Sequence, residues 1–439
     1  MKSSEGDILE PTIYRGMIID FIDDPFVAPS DKALRYLEDG ALLVSNGKIR
    51  SSGDATQIIE KNKNIPIVDL SGCLISAGFI DTHIHYTQMD IIGAHNHGLI
   101  DWLDRHAFPA EMVFENEEIA SEAAEEFLKI LFRNGVTSAS VYCSVHPESV
   151  NMFFEKASAY NAFMVAGKVC MDRGAPPALL DSAKSAYDQS KILIDKWHKK
   201  GRARYAITPR FALSSTREQL ENLGALWGEY PDVLMQTHLA ETREEISRVR
   251  ELHPDFKDYF DVYETTGLAK PGGIYGHCIH LEKRERSAMA ACGATVAHCP
   301  TSNAFLGSGV FDLGDMREAT PSIPVSLASD VGGGTSFSPF ATMQAAYFAG
   351  RYHEIHIEPA QLFYMATQGA AKALYAHDMI GALQPGSDAD FVVLDPLSTP
   401  LLSRMTSRSN NIDELLMAFI MGGDDRCVRA TYISGVNVI

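Results

Sequence analysis

Gly78-Phe-Ile-Asp81-Thr-His83-Ile-His85 is an apolar, β-branched run that carries two histidines two residues apart. On a strand, successive side chains alternate between faces, so both imidazoles point to one side. Two imidazoles on one face are half of a zinc site, and imidazole with carboxylate suits zinc or iron. Three further metal-binding side chains each end a separate apolar run: Leu234-Met-Gln-Thr-His238, Ile274-Tyr-Gly-His277 and Val325-Ser-Leu-Ala-Ser-Asp330. Ligands at the C-terminal ends of separate strands are what a barrel with its active site at that face supplies.

The surrounding pattern predicts that barrel. Eight short apolar runs follow one another: Leu74–Tyr86, Thr137–Tyr142, Ala162–Met171, Tyr205–Arg210, Val233–Leu239, Gly273–His280, Ala294–Ser302 and Val325–Asp330. Most are separated by charged stretches with helical spacing, such as Asn116–Asn134, Ala183–Lys200 and Glu241–Leu252. Strands alternating with helices predict parallel βαβ units, an α/β chain and a (β/α)8 barrel. The two ends differ from the middle. Asn46-Gly47 between apolar runs is a hairpin signal, and Gly386–Asp395 and Ala430–Gly435 read as strands with turns. The expectation is a small β-sandwich domain built from both termini, 1–75 and 381–439, around a catalytic barrel over 76–380.

The chain has 439 residues, 46% hydrophobic, with 57 acidic against 38 basic side chains and a net charge of -19. That charge argues against nucleic acid and anionic membrane as partners. No run is long and apolar enough to span a bilayer, and Met1–Asp7 is polar, unlike the core of a signal peptide. Seven cysteines, an odd number with no C-x-x-C, argue against a disulfide framework and for the cytoplasm.

The order of blocks resembles the amidohydrolase superfamily of metal-dependent (β/α)8 hydrolases, and within it the guanine deaminases. The blocks are Asp81-Thr-His-Ile-His85, Trp102-Leu with Phe108-Pro-Ala-Glu111, Gly167-Lys-Val-Cys-Met-Asp172, Thr208-Pro-Arg-Phe211, His238-Leu-Ala-Glu241, Ala297-His-Cys-Pro-Thr-Ser-Asn303 and Gly422-Gly-Asp-Asp-Arg426. The resemblance implies one Zn2+ per chain, with Fe2+ as the alternative metal, held by His83, His85, His238 and Asp330. It places His277 beside the metal and its water, and it implies a homodimer. Two-metal members carry a carboxylated lysine on the fourth strand; the fourth run here has none, and Lys168 on the third reads as a structural lysine.

Glu241 taken alone reads as an exposed glutamate starting a helix. The resemblance instead makes it the catalytic carboxylate that moves a proton from water to a ring nitrogen, with Asp330 and His277 sharing that catalytic relay. Arg210 and Gln88 are candidates for reading a purine: a guanidinium suits a carbonyl oxygen, and an amide offers donor and acceptor together. Phe211 and Trp102 could hold a flat base, although a lone aromatic is more often core. Several features are discounted. His353 and His356 fit a solvated helix face, and Gly332-Gly-Gly334 fits a tight turn. His95, His97 and His298 have no assigned role.

The function expected is zinc-dependent deamination of guanine, a small-molecule purine substrate, to xanthine and ammonia. The rivals are deamination of 8-oxoguanine or another flat amidine, ring-amide hydrolysis, and a non-catalytic barrel that serves assembly.

Overall fold

The computed structural model describes residues 10–439; the stretch Met1–Asp7 weighed above lies outside the described residues. Eight parallel strands form on the eight expected runs: β1 (Phe79–His85), β2 (Val136–Tyr142), β3 (Phe163–Gly167), β4 (Ala203–Pro209), β5 (Leu234–Leu239), β6 (Gly273–His277), β7 (Thr295–His298) and β8 (Val325–Leu327). Each pairs with the next from β1 to β8. The barrel closes between β8 and β1. There Thr82 Oγ1 donates to the Leu327 carbonyl at 3.1 Å, the Asp330 N–H to the His83 carbonyl at 2.9 Å, and the His85 N–H to the Val331 carbonyl at 2.7 Å.

The helices between strands form for local reasons. Glu117–Arg133 buries Ala120, Ala124, Phe127, Leu128 and Leu131, a stripe of helical spacing, and Asn116 caps it by accepting from the N–H groups of Glu118 and Ile119. The third run departs from expectation by splitting in two. A Cβ on Gly167 would sit 1.8 Å from the Ala206 carbonyl oxygen of β4, so the backbones approach there as only glycine allows. β3 stops at Gly167, and the short strand Val169–Cys170 pairs separately with Thr208–Pro209. Lys168 between them is buried, donates to the Val169 carbonyl at 3.3 Å and pairs with Asp181, which is a structural role.

The small domain is one seven-stranded sheet. Thr12–Phe21, Leu34–Ser45, Lys48–Asp54 and Ile67–Ala77 come from the N-terminal side; Phe391–Leu394, Val428–Ile433 and Val436–Asn437 come from the C-terminal side. Phe391–Leu394 inserts antiparallel between Ile67–Ala77 and Val428–Ile433. Asn46 (φ 53°) and Gly47 (φ 70°) make the expected hairpin turn. That hairpin folds back on residues 386–389 through Ile49–Ser387, Gly386–Ile49 and Ala389–Gly47 hydrogen bonds, so the sheet curls into a sandwich around Tyr14, Ile18, Leu42, Ile75, Phe391 and Tyr432. Arg202, just before β4, ties the barrel to it by pairing with Asp388 and Asp390.

One local expectation is corrected. His353 and His356 do not lie on a helix: Pro339–Tyr352 ends just before them, His353 falls in the following turn, with its Nε2 3.2 Å from the Val310 carbonyl oxygen, and His356 in the irregular stretch after it. Among the described residues, no helix is long and apolar enough to cross a membrane.

Candidate active site

His83 and His85 lie on β1, His238 near the end of β5, His277 at the last position of β6, and Asp330 three residues beyond β8. The chain turns sharply at these strand ends. Ala240, His277, Cys278 and Asp330 all have left-handed backbone, with φ between 52° and 65°. Such positions cost roughly 1–3 kcal/mol each and cluster where side chains must be aimed. After Asp330 the chain returns closely over itself. A Cβ on Gly332 would meet the Gln88 carbonyl oxygen at 2.3 Å, and one on Gly334 the Ser329 carbonyl oxygen at 1.8 Å, so the three glycines serve a tight turn.

The four expected ligands converge, one atom from each lying within 4.8 Å of the others. Asp330 Oδ1 is 3.2 Å from His83 Nε2 and 3.3 Å from His85 Nε2, and His85 Nε2 is 3.3 Å from His238 Nε2. His238 Nδ1 sits 2.7 Å from the Arg210 carbonyl oxygen, which fixes its proton there and leaves Nε2 with a lone pair facing the cluster. Neither ring nitrogen of buried His83 has a hydrogen-bond partner among the described residues. Burial pushes His83 down to about 4 and holds His238 well below the usual imidazole value. Burial alone would raise Asp330, but the close approach of the His83 and His85 rings to its carboxylate keeps it well below the usual carboxylate range. Three imidazoles and a carboxylate at one point, one of the rings with no hydrogen-bond partner at either nitrogen, are a donor set that fits a divalent transition metal.

Glu241 is buried and lies outside the next helix, so it does not start it. Arg243–Leu252 is capped by Thr242 with Glu245 in a reciprocal capping box. Ser308 donates to Glu241 Oε1 at 2.7 Å, and Glu241 Oε2 is 3.6 Å from His277 Nε2, which is 3.7 Å from Asp330 Oδ2. Burial raises the Glu241 carboxyl above its ordinary value. For His277 burial opposes the charge, but the carboxylates of Glu241 and Asp330 outweigh it and raise the imidazole. A carboxyl and an imidazole side by side, both shifted up, are suited to exchanging a proton with a bound molecule.

One pocket brings these groups together with His85, His238 and all four expected substrate contacts, Gln88, Arg210, Phe211 and Trp102. Leu99, Leu103 and Leu306 complete the apolar wall. Trp102 and its neighbours ride on a continuous helical segment, Leu99–Met112, that contains one wide π-helical stretch at Leu103–Ala107. Its far end carries Glu111, which sequence reasoning missed as a site residue. Glu111 is fully buried and holds both Arg210 and Gln88. A buried arginine demands such a counterion, and that demand was the available signal. Ser308, Asn303 and Cys299 were missed as well; Cys299 lies within 4.8 Å of the ligand atoms of His83, His277 and Asp330. His298 does not line this pocket but stacks on Phe311 at 4.4 Å. His95 and His97 also stay outside it, on a loop whose His95 carbonyl oxygen sits 2.9 Å from His106 Nε2.

Residues 74–438 match the model of the amidohydrolase family. A guanine deaminase of Escherichia coli (strain K12) is 43% identical over 429 residues, 96% of each chain. The solved E. coli guanine deaminase superposes with a TM-score of 0.94 at 41% identity, covering 98% of this chain and 99% of that one. A guanine deaminase from C. acetobutylicum, solved with guanine bound in its active site, gives 0.88 at 28% identity over 98% of this chain and all of the other. The chain belongs to the amidohydrolase family and, within it, to the guanine deaminases.

Proposed function

We propose that the protein is a zinc-dependent guanine deaminase, converting guanine and water to xanthine and ammonia. The observation that carries this reading is that Glu241, His277 and Asp330 line the same pocket as Arg210, Gln88, Phe211 and Trp102. The family relatives named above, one of them holding guanine, support the choice of base.

His83, His85, His238 and Asp330 would hold the zinc, which would supply a Lewis acid and lower the pKa of a bound water toward neutrality. The chain does the rest. Glu241, with Oε1 fixed by Ser308, takes the proton of the attacking water on Oε2 and gives it to the ring nitrogen beside C2. The water oxygen bonds to C2, the bond from C2 to the exocyclic nitrogen breaks, and ammonia leaves with a proton passed through Asp330. His277 hydrogen-bonds the incoming oxygen. Arg210 Nη1 is held by Glu111, and its Nε and Nη2 have no partner among the described residues, so they remain to meet the carbonyl at C6. Phe211 and Trp102 hold the base flat.

The deciding measurement is ammonia release by the purified protein from guanine, 8-oxoguanine and adenine, with metal analysis of the same sample. Guanine is expected to be the best of the three, with one zinc per chain. Negligible release from guanine would overturn the proposal. The homodimer and the cytoplasmic location belong to the same proposal, checked by sedimentation velocity and cell fractionation.

A further inference from the structure

Glu111 touches both of the groups proposed to read the base, Arg210 and Gln88. Its two carboxylate oxygens lie 2.9 and 2.7 Å from Arg210 Nη1, and Oε1 also accepts from Gln88 Nε2 at 2.6 Å. Gln88 is pinned at its other end, where Oε1 accepts the Gly332 N–H at 3.2 Å. The Glu111 backbone is itself held, its carbonyl accepting from Ser144 Oγ at 3.1 Å. Among the described residues, Glu111 is the one carboxylate in ion-pair contact with Arg210, and both side chains are buried. A buried ion pair adds little net stability compared with apolar packing, so its presence in this pocket calls for a role in recognition.

We propose that Glu111 is a specificity-determining positioning residue. It fixes the edges that Arg210 and Gln88 turn toward the base, and it cancels the guanidinium charge so that the pocket takes a neutral purine and lets an acidic product go. This rests on the guanine deaminase reading above. Xanthine carries an imide N–H between two carbonyls and is a stronger acid than guanine, so near neutral pH part of it is an anion. An uncompensated guanidinium in a dry pocket would hold that anion by charge-assisted hydrogen bonds. With Glu111 in place the Arg210–Glu111 pair offers donors without net charge.

The test is equilibrium binding of xanthine and of hypoxanthine, measured by calorimetry at a pH where xanthine is largely ionised and hypoxanthine is neutral. In Glu111→Gln the preference for xanthine over hypoxanthine should rise about tenfold or more relative to wild type. Metal content should be unchanged, and KM for guanine should rise more than kcat falls. Glu111→Asp keeps the charge with a shorter reach. It should keep the wild-type preference while still raising KM. An unchanged xanthine preference in Glu111→Gln overturns the proposal, as does an equal rise in Glu111→Asp. If Glu111→Gln does not fold, wild type decides alone: xanthine affinity should fall relative to hypoxanthine as pH rises through xanthine's ionisation, and a rise overturns the proposal. Because the readout is binding, a wild-type protein that releases no ammonia from guanine defeats the deaminase reading without deciding this one.

Discussion

His277 Nδ1 lies 2.8 Å from Asn303 Oδ1, a contact between the last residue of β6 and the short helix Pro300–Phe305 that follows β7. The amide oxygen can only accept, so Nδ1 carries the proton and Nε2 is left facing Glu241 and Asp330. Nε2 has no hydrogen-bond partner among the described residues. The ring is thus aimed by a neighbour that itself stays out of the pocket lining.

That contact predicts the behaviour of Asn303→Ala. Loss of the acceptor frees the His277 ring to turn and to change tautomer. Activity should fall about 10–100-fold, mainly in kcat, with metal content unchanged. Steady-state kinetics with metal analysis on the same sample checks it; an unchanged kcat would show that the ring is held by packing alone.

Removing an imidazole from the three-histidine, one-carboxylate cluster leaves too few ligands. His83→Ala and His238→Ala should lose both zinc and turnover while circular dichroism stays that of wild type, since the core lies elsewhere. Two tightly bound metals per wild-type chain would contradict the single site.

Glu241→Gln keeps shape and the Ser308 contact but cannot accept a proton. It should retain zinc and substrate binding and lose ~10²–10⁴-fold in kcat. Near-normal turnover would remove Glu241 from the proton path.

Arg210→Met removes the donors for a purine carbonyl and also strands the Glu111 carboxylate. Guanine should lose about 2–4 kcal/mol in kcat/KM. Adenine, which presents an amine at that position, should lose much less. The comparison should be repeated with Glu111→Gln added, so that the buried unpaired carboxylate is not mistaken for lost recognition. Equal losses for both bases would free Arg210 of any role in choosing guanine.

Glu245 gives a pH dependence. Burial, reinforced by the charge of Glu241, raises its carboxyl from 4.5 to about 7. Folding therefore takes up a proton between those values, and the stability linked to Glu245 is fully present below pH 4.5 and lost as pH rises through 7. Glu245→Gln should gain on wild type across that window by on the order of 2–3 kcal/mol, measured by denaturant unfolding at several pH values. A difference that does not vary with pH would show that Glu245 stays ionised.

The strand ends were legible because each metal-binding residue closes an apolar run with period-two or short-strand character, and barrels gather such ends at one face. The contacts that organise the pocket were not. Glu111 and Arg210 are 99 residues apart, and their meeting depends on the π-helical stretch at Leu103–Ala107, which no periodicity announces. Asn303 stood within a quoted block, but its pairing with His277 needs the left-handed turn at His277 and Cys278. The histidines at 353 and 356 were placed on a helix because their spacing suits one; the helix Pro339–Tyr352 ends just before them, and His353 only caps it.

The insertion of Phe391–Leu394 beside Ile67–Ala77 has a consequence for synthesis. During translation the N-terminal strands emerge first, and Ile67–Ala77 waits with one row of backbone donors and acceptors unpaired while roughly 300 further residues are made. At 5–20 residues per second that is about 15–60 s in which a nascent sheet presents an open edge. A chain halted within the barrel would carry that edge permanently. The segment from Phe391 onward is thus the seam that turns a sticky nascent chain into a finished protein, and truncations before it should fail by aggregation even though every residue of the catalytic pocket is already present.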